Sequence, residues 1–117
     1  MSTQSFKDLI VWQRSIELVQ EIYILTRHLP SFEQHGLSSQ MQRAAVTIPS
    51  NIAEGSKRTS TKDYLNFLRI SAGSAAELET QLIITHNVYP AIKLDTAFSL
   101  LYEVQKMLTV IIKKLAL

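Results

Sequence analysis

The stretch AFSLLYEVQKMLTVIIKKL, residues 97–115, decides the fold class of this chain. Its apolar residues alternate by four and three positions, which is the spacing of a heptad seam on an α-helix. The seam consists of Ala97, Leu101, Val104, Leu108, Ile111 and Leu115. Asp95 suits the first turn of such a helix, and the pattern therefore predicts a helix over about residues 93–115.

Three segments upstream show helical periodicity as well. It predicts helices over about residues 8–28, 38–55 and 61–88. The inner face of the second is predicted as Leu37, Met41, Ala44, Ala45, Ile48 and Ile52, and that of the third as Tyr64, Leu65, Leu68, Ala72, Ala75, Leu78, Leu82 and Ile83. The first helix carries two apolar sets. One set follows helical spacing and comprises Trp12, Ile16, Val19, Tyr23 and Thr26. The second set lies beside it and comprises Val11, Leu18, Ile22, Leu25 and Leu29.

Prolines and glycines delimit these segments. Pro30 and Pro90 end the first and third helices, because proline disfavours helical geometry in the residue before it. Gly55 is predicted to stop the second helix in a left-handed conformation. Pro49 lies inside the second helix and predicts a bend or a break there, of which we favour the bend. Gly73 weakens the third helix, and a close helix contact is the expected compensation.

Short connections between long helices favour antiparallel neighbours. The prediction is therefore an all-α, up-down-up-down antiparallel four-helix bundle that forms a single domain over residues 1–117. A three-helix bundle with a helical arm and a dimeric helical hairpin are the alternatives.

Composition narrows the function further. The 117 residues contain no cysteine, which excludes disulfides and thiolate metal sites, and the formal net charge is only +2. The sequence has no apolar signal-peptide core near its start and no apolar run of the ~20 residues that a membrane helix needs. We expect a cytoplasmic protein without a membrane partner.

The first and fourth helices carry more apolar positions than a lone bundle buries, because about three positions in seven are sufficient for that. Exposed apolar patches usually mark partner surfaces. We therefore expect a homo-oligomer, such as a closed ring, whose interface candidates are Val11, Leu18, Ile22, Leu100, Met107 and Val110.

Polar residues near the expected core predict structural roles. We expect Arg43 to pair with Glu77 or Glu79 across the second and third helices, because a half-buried carboxylate needs a cation or donors. Asn51 and Glu54 are expected to satisfy backbone groups at the end of the second helix. The alternatives are a ligand site at that helix end and a proton-transferring carboxylate.

Catalytic and metal sites have recognisable spacings, and none of them occurs here. The Glu-x-x-His pairs of di-iron bundles are missing, since Ile83 stands three residues before His86. No phosphate-binding glycine loop and no nucleophile motif is found. We predict no catalytic residue, no metal and no cofactor, and so no enzyme.

The turn between the second and third helices is basic. Lys57 and Arg58 lie in it, and Lys62 follows one turn into the next helix. This is the best nucleic-acid candidate of the sequence, because several copies around a ring would concentrate positive charge on one rim. A solvated connection is the alternative.

Three blocks, QMQRAAVTIPSNIAEG (residues 40–55), GSAAELETQL (73–82) and FKDLIVWQ (6–13), resemble the bacterial four-helix-bundle proteins encoded in intervening sequences of 23S ribosomal RNA genes. That family is similar to the accessory variability determinant proteins of diversity-generating retroelements. The resemblance extends from Phe6 to about Leu115. It implies a four-helix bundle that assembles as a ring, typically a pentamer, and a role in binding RNA or DNA. The retroelement proteins also contact a reverse transcriptase, but this chain looks closer to the intervening-sequence branch.

Two other functions stay open at this point. One is a helical adaptor that binds a protein partner through the apolar face of its first or fourth helix. The other is an enzyme whose site is assembled between subunits, which only scattered polar residues favour.

Overall fold

Four α-helices and two short 3-10 turns form the protein in a computed structural model that describes residues 5–117. The helices are α1 (Ile10–Thr26), α2 (Leu37–Ser56), α3 (Thr61–Val88) and α4 (Asp95–Leu115), and the 3-10 turns are Phe6–Asp8 and Ser31–Glu33. No strand occurs in the described residues. The prediction of an all-α four-helix bundle is confirmed.

Each helix packs against two of the others. The packed pairs are α1 with α2, α2 with α3, α3 with α4, and α4 with α1, so the bundle has a four-sided cross-section. The molecule measures 49 × 23 × 22 Å, and its long axis accommodates α3, whose 28 residues span about 42 Å.

Contacts between helices fix their relative directions. The Ser71 hydroxyl in α3 donates to the Ile48 carbonyl in α2 over 2.9 Å, while Gly55, farther along α2, lies beside Tyr64, earlier in α3. These two helices therefore run in opposite directions.

Around α4 the same holds. Gln105 Nε2 donates to Glu79 Oε1 over 3.0 Å, and His86, later in α3, lies at one cleft with Phe98, earlier in α4. Helices α3 and α4 therefore run in opposite directions. For α1 and α4, Arg14 Nε meets Glu103 Oε1 at 2.9 Å, while residues 8–11 line a cleft with Lys106, Met107, Val110 and Ile111.

The helix boundaries differ from the expected ones mainly at α1. The helix begins at Ile10 instead of residue 8, because Leu9 is extended and Phe6–Asp8 form a 3-10 turn capped by the Ser5 hydroxyl. At α3, Ser60 caps the helix by accepting from the Asp63 N–H over 3.1 Å.

Both predictions about residues inside helices resolve clearly. Pro49 lies within one continuous α2, so a break at that position is excluded. Gly73 was expected to lie against a neighbouring helix, and this is wrong: a Cβ added there would meet no atom of residues 5–117 within 4 Å.

The buried core comes from the inner faces predicted for α2, α3 and α4, although Ile83 is exposed and five residues are only half-buried, namely Leu37, Tyr64, Ala72, Ile111 and Leu115. On α1 the two apolar sets differ in burial. The core set of α1 is Val11, Leu18, Ile22, Leu25 and Leu29, whereas Trp12, Ile16 and Val19 are half-buried and Tyr23 is exposed. Among the described helices, none is long and apolar enough to cross a bilayer.

Candidate functional site

The basic turn lies at the end of the bundle where α2 stops and α3 begins. The 3-10 turn Phe6–Asp8 packs against α2 and α1 at this same end. Lys57, Arg58 and Lys62 are all exposed there, as the sequence predicted for a connection between helices. The arrangement can attract an anion only to the extent that these cations are not already paired within the chain.

Arg58 is engaged by its own chain. Its Nη2 lies 2.7 Å from Glu54 Oε2, and its guanidinium stands 4.7 Å from the centroid of the Phe67 ring. A surface pair at this i,i+4 spacing contributes only about 0.3–0.5 kcal/mol, but it neutralises part of the charge available to a ligand. Arg58 therefore links the end of α2 to the first turns of α3.

Lys57 and Lys62 differ from Arg58 because neither forms an ion pair with another residue in the described part of the chain. The Lys57 ammonium stands 5.8 Å from the centroid of the Phe6 ring, which packs edge-on against Trp12 at 5.3 Å. Both aromatic rings border a shallow apolar cleft of about 300 Å³ between α1 and α2. Two cations per chain are thus left for phosphate contacts.

Gly55 does not stop α2 in a left-handed conformation, and this prediction is wrong. No residue from 5 to 117 has a positive φ, and α2 continues to Ser56. The glycine is needed for a close approach instead, because an added Cβ would lie 2.7 Å from Phe67 Cβ and 2.9 Å from Tyr64 Cδ1. Gly55 thereby brings the end of α2 against the start of α3.

The other two residues at the end of α2 have local partners. Asn51 Nδ2 donates to the Thr47 carbonyl one turn earlier over 2.9 Å. Glu54 pairs with Arg58. Both side chains are therefore bonded within α2 and its turn. Asn51 bonds a backbone group as expected, whereas Glu54 binds the Arg58 guanidinium instead of the backbone group expected for it.

The expected ion pair of Arg43 with Glu77 or Glu79 is not formed. Arg43 and Glu77 are exposed, and neither takes part in an ion pair in the range 5–117. Glu79 is half-buried and accepts from Gln105 of α4, on the side of α3 away from Arg43. The prediction failed because Arg43 points outward from α2, whose buried face is formed by its neighbours Ala44 and Ala45.

Half of the predicted interface residues belong to the core of one chain. Val11, Leu18 and Ile22 are at most 2% exposed, so they are not available to a second copy. Leu100 and Met107 are half-buried and Val110 is exposed, so these three remain accessible at least in part. The apolar excess of α1 is real, but its inner set is hidden by the bundle itself.

Large apolar side chains are nevertheless exposed on several helices. They are Ile10, Tyr23 and Ile24 on α1, Val46 on α2, Ile70, Ile83, Ile84 and Val88 on α3, Tyr102 and Val110 on α4, Phe32 in the first connection and Leu117 at the end. The sequence analysis did not identify those of α3, because it counted Ile83 in the core and did not consider Ile70 or Ile84.

Three polar contacts in the bundle also escaped the sequence analysis. The Tyr89 hydroxyl donates to Glu33 Oε2 over 2.6 Å and joins the first and third connections. This hydrogen bond to the carboxylate raises the pKa of Tyr89 above its ordinary value. Arg14 bridges Glu17 and Glu103, and no spacing rule pairs residues of α1 and α4 in advance.

Gln81 is the one described residue whose buried side chain keeps an unsatisfied polar atom. The residue is 6% exposed, and its Oε1 has no hydrogen-bond donor. Buried polar atoms normally have a partner, so such an atom needs an explanation. No group of three or more potential metal ligands is found within residues 5–117.

Comparison with known proteins agrees with the resemblance noted in the sequence. The family model described as 23S rRNA-intervening sequence protein matches residues 7–112. The chain is similar to a protein of unknown function from the S23 ribosomal protein family of Bacteroides thetaiotaomicron VPI-5482, known from a crystal structure. The identity is 29%, the TM-score is 0.77, and the match covers 89% of this chain and 99% of the other. No curated protein matches significantly. The chain therefore belongs to the 23S rRNA-intervening sequence protein family.

Proposed function

We propose that this protein is a non-enzymatic helical scaffold that assembles with copies of itself into a ring and binds nucleic acid weakly at its basic end. The observation that carries the proposal is the exposure of large apolar side chains on separate sides of the bundle. A monomeric protein rarely leaves contiguous apolar patches open to water. A pentamer is the ring size that the family resemblance implies, and a cytoplasmic location is part of the same proposal.

The positions of the exposed residues favour a ring over a simple dimer. One group, Ile70, Ile84 and Val88, lies on α3, and another, Ile10 and Val110, lies where α1 meets α4. A twofold dimer uses one surface twice, whereas two unlike surfaces suit a head-to-tail contact. Such contacts form a ring when the rotation between neighbours closes.

Light scattering coupled to size exclusion tests the assembly. We expect a mass near five times the 13.3 kDa of one chain at micromolar concentration. A mass of one chain under these conditions overturns the proposal.

Nucleic-acid binding is supported by Lys57 and Lys62, the two unpaired cations of the basic turn, and by the repetition of that turn around a ring. Phosphate contacts release counterions, so the affinity must fall as salt rises. With only about two contacts per chain, binding is expected to be weak and insensitive to sequence.

Fluorescence anisotropy of a labelled single-stranded RNA at two salt concentrations measures this. We expect the double variant Lys57→Gln/Lys62→Gln to bind more weakly and with a shallower salt dependence than the wild type. Lys93→Gln is the matched control for the single variant Lys57→Gln, because each removes one charge and Lys93 is an exposed lysine in the connection between α3 and α4, at the opposite end of the bundle. An affinity that salt does not change, or equal losses in both variants, contradicts binding at the basic turn.

A protein adaptor is the second candidate function, and the cleft between α1 and α4 favours it. This cleft of about 380 Å³ is lined mostly by apolar side chains, among them Leu9, Met107 and Ile111. An amphipathic helix of another protein could bury its apolar face there. A stable monomer that binds one specific protein through this cleft would favour the adaptor over the ring.

A further inference from the structure

We propose that α3 of one copy docks into the cleft between α1 and α4 of the next copy, with Glu77 of the first facing Lys106 of the second. The inference rests on the proposed self-assembly and names the two surfaces that carry it. The α3 stripe comprises Ile70, Gly73, Glu77, Ile84 and Val88. The α1–α4 cleft comprises Asp8, Leu9, Ile10, Val11, Lys106, Met107, Val110 and Ile111.

The α3 stripe has the spacing of a helix-packing seam. Ile70, Glu77 and Ile84 follow one another at intervals of seven residues, so they lie along one face of the helix. Ile70 and Ile84 are 49% and 45% exposed, and Gly73 between them leaves open space where a side chain would stand. A glycine within a helix costs about 1 kcal/mol relative to alanine, and no contact inside this chain compensates for it. The gap at Gly73 suits a protruding side chain of another molecule.

The α1–α4 cleft offers such side chains. Ile10 is 62% exposed and Val110 is 48% exposed, and both stand at the rim of the cleft. The cleft and the stripe lie on different helices, so a single chain presents both surfaces at once. Contact between unlike surfaces is the head-to-tail arrangement that extends around a ring.

Charge is complementary between the two surfaces. Glu77 is an exposed carboxylate at the middle of the stripe, and Lys106 is an exposed ammonium in the cleft. Neither takes part in an ion pair within residues 5–117. An unlike pair across an interface fixes its register, whereas two α3 stripes would bring their Glu77 carboxylates together. The cleft contains one carboxylate, Asp8, in addition to Lys106.

The heights of the two charges along the bundle also agree. In a ring whose helices run along the symmetry axis, residues that touch must lie at equal heights. The Glu79–Gln105 hydrogen bond sets one common height of α3 and α4. Each residue of a helix adds about 1.5 Å along the bundle, so Glu77 lies about 3 Å from Glu79 and Lys106 lies about 1.5 Å from Gln105. Because α3 and α4 are antiparallel, both displacements point toward the same end of the bundle. The two charged residues are therefore within about 1.5 Å of one height.

The same calculation applies along the rest of the interface. Gly73 lies about 9 Å and Val110 about 7.5 Å from that reference, again on one side. The protruding Val110 of one copy can therefore reach the open position at Gly73 of another while the two charges meet. The open position at Gly73, the protruding Val110 and the Glu77–Lys106 charge pair therefore fit one register between α3 of one copy and α4 of the next.

Charge reversal and rescue test the docking, with light scattering coupled to size exclusion as the readout. We expect Glu77→Lys and Lys106→Glu each to weaken association at least about tenfold, because like charges then face each other. The double variant Glu77→Lys/Lys106→Glu should restore a mass close to that of the wild type. Lys62→Glu is the control, because it changes the net charge as Lys106→Glu does and lies outside both surfaces.

The outcomes distinguish the two proposals. A wild type that has the mass of one chain overturns the ring itself. An assembled wild type whose single reversals keep the full mass, or whose double variant is not rescued, overturns this docking and leaves the ring standing. Restoration by the double variant alone supports the contact.

Discussion

Gly55→Ala should destabilise the protein, although alanine is the better helix former. The new Cβ would stand 2.7 Å from Phe67 Cβ, 2.9 Å from Tyr64 Cδ1 and 3.3 Å from the Tyr64 carbonyl oxygen. Carbon atoms in good contact are separated by about 3.5–4.0 Å, so α2 and α3 must move apart. Two of the three opposing atoms are backbone or Cβ atoms, which a change of rotamer cannot remove.

The expected size follows from two opposing terms. Overpacking of a tight contact costs about 1–3 kcal/mol, and replacing glycine by alanine in a helix returns at most about 1 kcal/mol. Because the nearest opposing atom is a Cβ only 2.7 Å away, the overpacking cost should lie near its upper end, and we expect Gly55→Ala to lower the free energy of unfolding by about 1–2 kcal/mol. Gly73→Ala is the matched control, because nothing lies within 4 Å of its new Cβ and only the helix-propensity term applies. It should raise the free energy by up to about 1 kcal/mol.

Urea unfolding followed by the helical circular dichroism signal measures both variants. For a small domain the midpoint of Gly55→Ala should fall by about 0.5–1 M, while that of Gly73→Ala should rise. Two protein concentrations separate folding from any change in association. A Gly55→Ala variant as stable as the wild type would refute the close approach of α2 and α3 at this position.

Three further predictions follow from particular contacts. Ile22→Ala should lower the free energy of unfolding by about 2–5 kcal/mol, because Ile22 is fully buried. Ile24 is 47% exposed, so Ile24→Ala should change that free energy by less than about 0.5 kcal/mol for the isolated chain. Equal effects would contradict the assignment of the buried face of α1. Ser71→Ala should cost about 1 kcal/mol, since it leaves a buried α2 carbonyl without its second donor, and urea midpoints again provide the measurement. The hydrogen bond to Glu33 raises the pKa of Tyr89, so the stability from this bond is complete below the ordinary tyrosine pKa of about 10 and is lost as pH rises through the higher folded pKa. In the Glu33→Gln variant the phenolate absorbance of Tyr89 should therefore appear at lower pH, and an unchanged titration would count against the bond.

Helical periodicity predicted most of the architecture because three of the four helices have one dominant apolar face. The sequence of α1 is ambiguous, since two apolar sets lie side by side along 17 residues. Which set faces the core depends on where α2 and α4 pack, and this is a property of the whole bundle. Leu18 and Ile22 were therefore assigned to a partner surface although they fill the interior.

Predictions about polar residues depended even more on tertiary position. The basic turn was found because a connection between helices is recognisable and its lysines remain exposed. Whether Arg43 can pair with a residue of α3 depends on how α2 is rotated about its own axis. The inner face predicted for α2 defines that rotation only coarsely. For Gly55 the sequence predicted a left-handed stop, and only the positions of Phe67 and Tyr64 show that the glycine permits a close approach instead.

The signature block Asn51–Gly55, which ends α2 and belongs to the family resemblance, is best explained by packing. Ile52 is fully buried, Asn51 bonds within its own helix, Glu54 is paired with Arg58, and Gly55 admits α3. Each of these four residues thus has a role within one chain. If the signature builds the corner between α2 and α3, then the residues that face other molecules must lie outside it. The α3 stripe begins beyond that corner, and Lys57 and Lys62 lie on either side of the turn. Substitutions in the block should therefore impair folding before they impair binding.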